Sequence, residues 1–170
     1  VVEEFSISKI QENGNFEEGM AMDSPFNTSY NEGGPSITAD NTELYFTVCV
    51  DIKGYKNCDI YFSQLDDMGY WSTPVSIGDH INRRDSWESQ PAVSGNGGLV
   101  FFSSNRKGGI GGLDFYKCVR DFEGDWSSPE NLGPMINTKN HEKTPFIHSD
   151  SETLYFTSDG HVGLGNFDIF

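Results

Sequence analysis

The residues with the most chemical potential are two histidines and a recurring carboxylate. His141, Glu142 and His161 have the side-chain types of a metal or acid–base group. Glu142, however, repeats an earlier pattern: Glu32, Glu88 and Glu142 each stand three residues ahead of a proline, at Pro35, Pro91 and Pro145. Carboxylates recurring at one level of a repeat could ring a central channel and hold a cation or a basic partner. Alternatively, each could accept hydrogen bonds from a neighbouring blade's loop. A nucleophile, acid or base is needed once rather than three times, so the recurrence speaks against catalysis and no catalytic residue is assigned.

Asp59, Asp114 and Asp168 form a second recurrent set, each opening an Asp-Ile/Phe-Tyr/Phe run behind a loop. They are expected to tie those loops down. Residues outside the repeat are better candidates for contact with a ligand. Trp87 has no counterpart in the other units and falls in a loop, near Arg83, Arg84, Asn105, Arg106 and Lys107, with His141, Asp159 and His161 at corresponding places later. The Ser-x-Asp-x-Gly-x-Thr-Trp pattern of sialidases does not occur.

Short strands must position these groups. Asp59, Asp114 and Asp168 are 55 and 54 residues apart, Trp71 and Trp126 are 55 apart with Phe16 a further 55 back, and Asn27, Asn82 and Asn137 each follow 11 residues after those aromatics. Each unit reads as four strands. Strand A starts at the proline, which a strand tolerates at its first residue or at an edge. Strand B is Leu44-Tyr45-Phe46-Thr47 and its equivalents, strand C starts at the aspartate, and strand D starts at the tryptophan. Such a repeat predicts an all-β fold of four-stranded antiparallel blades with a period of about 55 residues, since each small sheet must stack on its neighbours to bury both faces.

The units run as 1–30 (strands C and D), 31–82, 83–137 and 138–170 (strands A, B and the start of C), all within one propeller domain of about three repeats. Alternating strand direction puts the B-to-C and D-to-A loops, with most of the candidate residues, on one face. Phe16, Trp71 and Trp126 are expected to be buried between blades. Because propellers generally close with four or more blades, the chain is expected to be part of a larger propeller or to be completed by a second copy.

A formal charge of −15, from 26 acidic and 11 basic residues, repels phosphate backbones and anionic headgroups, so neither nucleic-acid binding nor membrane insertion of this segment is expected. Cys49 and Cys58 flank one hairpin loop, leaving either a disulfide or two half-buried thiols. The cysteines make no paired spacing with the histidines, and neither a metal nor a cofactor is expected.

The sequence of Pro, an Asp or Gly turn, Leu-Tyr-Phe-Thr/Ser-Ser, a Gly-rich loop, Asp-Ile/Phe-Tyr, Trp-x-x-Pro and Ile-Asn resembles PD40 (WD40-like, TolB-type) propeller repeats. Two stretches, 131–138 and 156–165, are similar to Bacteroidetes envelope proteins that also carry an OmpA-like domain, including the PorE-like proteins of type IX secretion. This resemblance implies a non-enzymatic binding scaffold, periplasmic or outer-membrane-associated, with a protein partner in the cell envelope. It implies peptidoglycan contact only through an OmpA-like domain that these residues do not include. The alternative is a propeller enzyme or carbohydrate-binding module acting on polysaccharide.

Overall fold

A computed structural model describes residues 3–52 and 55–170. Its strands are β1 (Ser6–Ile7), β2 (Met20–Ala21), β3 (Asn31–Ile37), β4 (Glu43–Ile52), β5 (Tyr55–Gln64), β6 (Val75–Ser76), β7 (Glu88–Val93), β8 (Leu99–Ser104), β9 (Asp114–Val119), β10 (Glu130–Asn131), β11 (Glu142–Ile147), β12 (Leu154–Ser158) and β13 (Asp168–Ile169). Antiparallel sheets follow chain order: β1–β2, then β3–β4–β5–β6, β7–β8–β9–β10, and β11–β12–β13. No α-helix occurs among the described residues.

Each first strand carries a bulge at its proline. Proline offers no N–H to the ladder, and the register slips between Gly33 and Ser36, Ser89 and Ala92, and Lys143 and Phe146. The residue before each proline is left-handed, with φ of 60° at Gly34, 56° at Gln90 and 51° at Thr144. The bulge turns the freed N–H groups toward the preceding sheet, Gln90 N donating to Thr47 Oγ1 and Thr144 N to Gln90 Oε1, both at 2.9 Å. First strands of successive sheets therefore lie against each other, β3 on β7 and β7 on β11.

The core lies between sheets. Tyr45, Ile60 and Ile77 of one four-stranded unit pack with Val93, Val100, Phe102, Tyr116 and Cys118 of the next. Phe5 and Phe26 pack in the same way on Leu44 and Phe46. A recurrent asparagine clamps each unit: Oδ1 of Asn27, Asn82 and Asn137 accepts the N–H of Phe5, Ile60 and Phe115, while Nδ2 donates to the carbonyl of the same residue. This clamp ties the strand-D-to-A loop to strand C.

The three equivalent aromatics differ in depth. Trp71 and Trp126 are half-buried, edge-on to Phe26 and Tyr45 of the preceding unit at 5.7 and 6.1 Å. Phe16 is 69% exposed, contrary to the expectation of burial, because no described residue lies against its ring as Phe26 does against Trp71. Each of the three makes one antiparallel bridge, and the short outer strands β6 and β10 start four residues later.

Candidate functional site

Glu32, Glu88 and Glu142 do not ring an open channel. All three are buried; Glu88 and Glu142 are held by donors of their own units, and Glu32 by Thr28 at the end of the unit before it. Glu88 accepts from Arg83 N (2.9 Å), Ser86 Oγ (2.7 Å), Ser104 Oγ (2.7 Å) and Arg106 Nη2 (3.2 Å). Glu142 accepts from Thr138 N (3.0 Å), Thr138 Oγ1 (2.7 Å) and Ser158 Oγ (2.9 Å). Glu32 accepts from Thr28 N and Thr28 Oγ1, both at Oε1. Val48 stands where Ser104 and Ser158 stand in the other sheets, and Glu32 Oε2 is buried with no hydrogen-bond partner among the described residues. Their placement at the end of the D-to-A loop suits carboxylates to organising loop N–H groups rather than binding a channel cation.

Asp114 and Asp168 hold glycine-rich loops. Asp114 accepts from Ile110 N, Gly111 N and Asn131 Nδ2, and Asp168 from Leu164 N and Gly165 N. The loop before Asp114 also presses on the next unit, where a Cβ on Gly111 would lie 2.2 Å from the Thr138 carbonyl. Asp59 has no loop to anchor, which corrects the expectation, because β4 and β5 stay in register through Ile52 and Tyr55. Burial, followed by the negative charge of Glu88, raises its carboxyl above the usual carboxylate range.

The histidines go separate ways. His141 Nδ1 accepts Leu113 N at 3.1 Å, joining the second four-stranded sheet to the three-stranded sheet at their loop ends, while His161 Nε2–H donates to Ile136 O at 2.8 Å beside Phe156 and Phe170. Among the described residues, the only grouping of metal-ligating side chains is Asp121, Glu123 and Asp125 on the exposed turn between β9 and β10. His141, Glu142 and His161 are thus not assembled into a metal or acid–base group.

Arg106 is not a surface residue, as its loop position had suggested. It is buried, with Nε on Ser104 Oγ (3.0 Å), Nη2 on Ile81 O (2.8 Å) and Glu88, and its guanidinium 5.1 and 4.7 Å from the Phe102 and Tyr116 ring centres. The remaining cations of that loop end are exposed: Arg83 and Lys107 share Asp85, and Arg84 projects beside them. Trp87 is 36% exposed, its backbone N–H donating to Asn105 Oδ1 at 2.8 Å, and with Gln90, Thr47 and Cys49 it lines a cleft of about 200 Å³ between sheets. Cys49 and Cys58, both on the wall of that cleft and directly paired across β4 and β5, form a disulfide. Cys118 is free and buried.

These sheets define an all-β fold of four-stranded antiparallel blades of the TolB-propeller kind. The structure is similar to TolB from Acinetobacter baumannii, with a TM-score of 0.52 and 17% identity over 93% of this chain and 32% of that one. It is also similar to a putative TolB from Agrobacterium tumefaciens, with a TM-score of 0.53 and 17% identity over 89% of this chain and 49% of that one. The chain thus spans about a third of the length of the first of these structures and about half of the second. No protein-family profile and no curated protein matches the sequence.

Proposed function

We propose that the chain is a non-enzymatic binding module of a bacterial cell-envelope protein, engaging a protein partner through the loop end that carries Trp87, Arg83, Arg84 and Lys107. The observation behind this reading is how the polar groups are spent. Recurrent carboxylates satisfy the chain's own loops and the two histidines have separate structural partners, while exposed cations and an indole remain at the same end. A propeller with its chemistry-bearing residues used this way is suited to recognition by surface loops. The Cys49–Cys58 disulfide favours an oxidising compartment, in keeping with a periplasmic or outer-membrane-associated setting. The PD40 resemblance extends the proposal to an assembly of the type IX secretion kind, in which an OmpA-like domain elsewhere would carry any peptidoglycan contact.

Photo-crosslinking in cells that make the protein tests this. A benzophenone amino acid at Trp87 or Lys107 is expected to trap a defined protein, whereas the same group at Phe122, on the turn at the opposite end, traps none. Equal yields from both ends, or purified chain that depolymerises a cell-wall or capsular polysaccharide, would overturn it.

A further inference from the structure

The same frame of one carbonyl, one buried glutamate and two aromatics occurs three times, and two of the three are filled, by different side chains. In the second four-stranded sheet it consists of the Ile81 carbonyl, Glu88, Phe102 and Tyr116, and Arg106 fills it. In the third it consists of the Ile136 carbonyl, Glu142, Phe156 and Phe170, and His161 fills it, its ring 5.7 and 5.0 Å from the two aromatic centres. Both fillers are planar, nitrogen-rich side chains that donate to a carbonyl and lie against aromatic rings.

In the first four-stranded sheet, β3–β6, the frame has no filler among the described residues. Phe26, Glu32, Phe46 and Tyr61 take the places of Ile81, Glu88, Phe102 and Tyr116. Val50 follows Val48 by two residues as Arg106 follows Ser104, and it only lines the space. A cavity of about 360 Å³ results, walled by those side chains with Tyr30 and Pro74 at its edge. Glu32 is 3% exposed, and its Oε2 has no donor among the described residues.

We propose that this pocket receives an arginine side chain of a partner polypeptide, its guanidinium taking the place that Arg106 takes in the second sheet. A guanidinium brings donors for Glu32 Oε2 and a flat, weakly hydrated cation for the faces of Phe46 and Tyr61. Lysine brings a compact, strongly hydrated charge that matches aromatic walls less well. The −15 charge of the chain favours a cationic partner. This inference rests on the binding-module reading above and names the chemistry of what is bound.

The test is a titration of the full chain with N-acetyl-arginine amide, followed by amide chemical shifts. Saturable shifts centred on Glu32, Val48 and Tyr61 are expected, with no binding of the uncharged isostere N-acetyl-citrulline amide and weaker binding of N-acetyl-lysine amide. Glu32→Gln should weaken the arginine probe at least ~10-fold, the scale of a charge-assisted hydrogen bond. Should that variant fold poorly, Val50→Arg supplies a second check, since a guanidinium provided from within should block the probe. Citrulline binding as well as arginine, or shifts centred elsewhere, overturns the proposal. Free arginine binding more tightly than the capped probe would overturn the polypeptide source, marking a site for the amino acid itself. If crosslinks from Trp87 persist undiminished in Glu32→Gln, this inference fails while the binding-module reading stands.

Discussion

Removing Arg106 should be among the most damaging single changes to the stability of the molecule, although removing its exposed neighbour Lys107 should hardly affect stability. Arg106→Ala deletes the bond to Glu88 at 3.2 Å, the bond to Ile81 O at 2.8 Å and two ring contacts. A lost hydrogen bond to a buried charge is worth about 2 kcal/mol and a buried carbonyl left without its donor about 1 kcal/mol more. The desolvated cation–π contact adds about 1 kcal/mol. Glu88 keeps Arg83 N, Ser86 and Ser104 as donors, which limits the damage, so the expected cost is about 3 kcal/mol, near the lower end for breaking a buried ion pair. For a chain of this size that corresponds to a fall in Tm of roughly 6–12 °C. Urea unfolding followed by tryptophan fluorescence, on Arg106→Ala, Glu88→Gln and the double variant, measures both the cost and the coupling, for which we expect about 2 kcal/mol. Arg106→Lys should recover less than half, because an ammonium cannot reproduce the fork or the stacking. A loss within about 0.5 kcal/mol of that for Lys107→Ala, or no coupling, would refute the assignment of Arg106 as the filler of the frame.

Three further outcomes follow from the same geometry. Trp126→Ala should cost about 2 kcal/mol, less than a fully buried tryptophan because the ring is half-buried against Tyr45 and Arg120, whereas Phe16→Ala should cost under about 0.5 kcal/mol; comparable losses in thermal unfolding would contradict the depths described. Thiol titration of denatured, unreduced protein should find the Cys118 thiol alone, and native protein should resist alkylation at pH 8, since burial pushes that thiol up to about 12; three thiols on denaturation would exclude the Cys49–Cys58 bond. At Glu43, burial pulls the carboxyl upward, but hydrogen bonds from Arg120, Gln64 and Tyr45 outweigh it and hold the group below its ordinary value. A depressed carboxyl contributes stability above its unfolded value, lost as pH falls through the folded one; Glu43→Gln should therefore reduce the loss of stability in acid below about pH 4.5, and an unchanged acid limb would disprove the contribution of the inter-sheet Glu43–Arg120 pair.

The recurrent features were legible because each repeat unit solves the same packing problem with the same residues. Asparagine 11 residues after the aromatic, glutamate three before the proline and aspartate at the head of strand C all sit at fixed sequence offsets; Asn137 and Glu142 make bonds like their counterparts, and Asp168 makes bonds like those of Asp114. Arg106 was misplaced because a charged residue in a glycine-rich loop has the composition of a surface group. Its equivalence to His161 is hidden by a one-residue difference: Arg106 is two beyond Ser104, His161 three beyond Ser158. The informative signal was the pair of recurring aromatics in strands B and C, against which Arg106 lies in the second four-stranded sheet and His161 in the three-stranded one. Asp59 was read by analogy with Asp114 and Asp168. Val48, Val50 and Ile52, alternating along β4, favour a continued ladder over a shaped loop, and that left the aspartate nothing to anchor.

Crystals of the full chain grown with and without saturating N-acetyl-arginine amide test the central claim most directly. The expected difference is a guanidinium between Phe46 and Tyr61 that donates to Glu32 Oε2, superimposable on Arg106 when the first and second four-stranded sheets are overlaid. A pocket closed by one of the chain's own side chains, or one that holds only solvent in the presence of the probe, would contradict it.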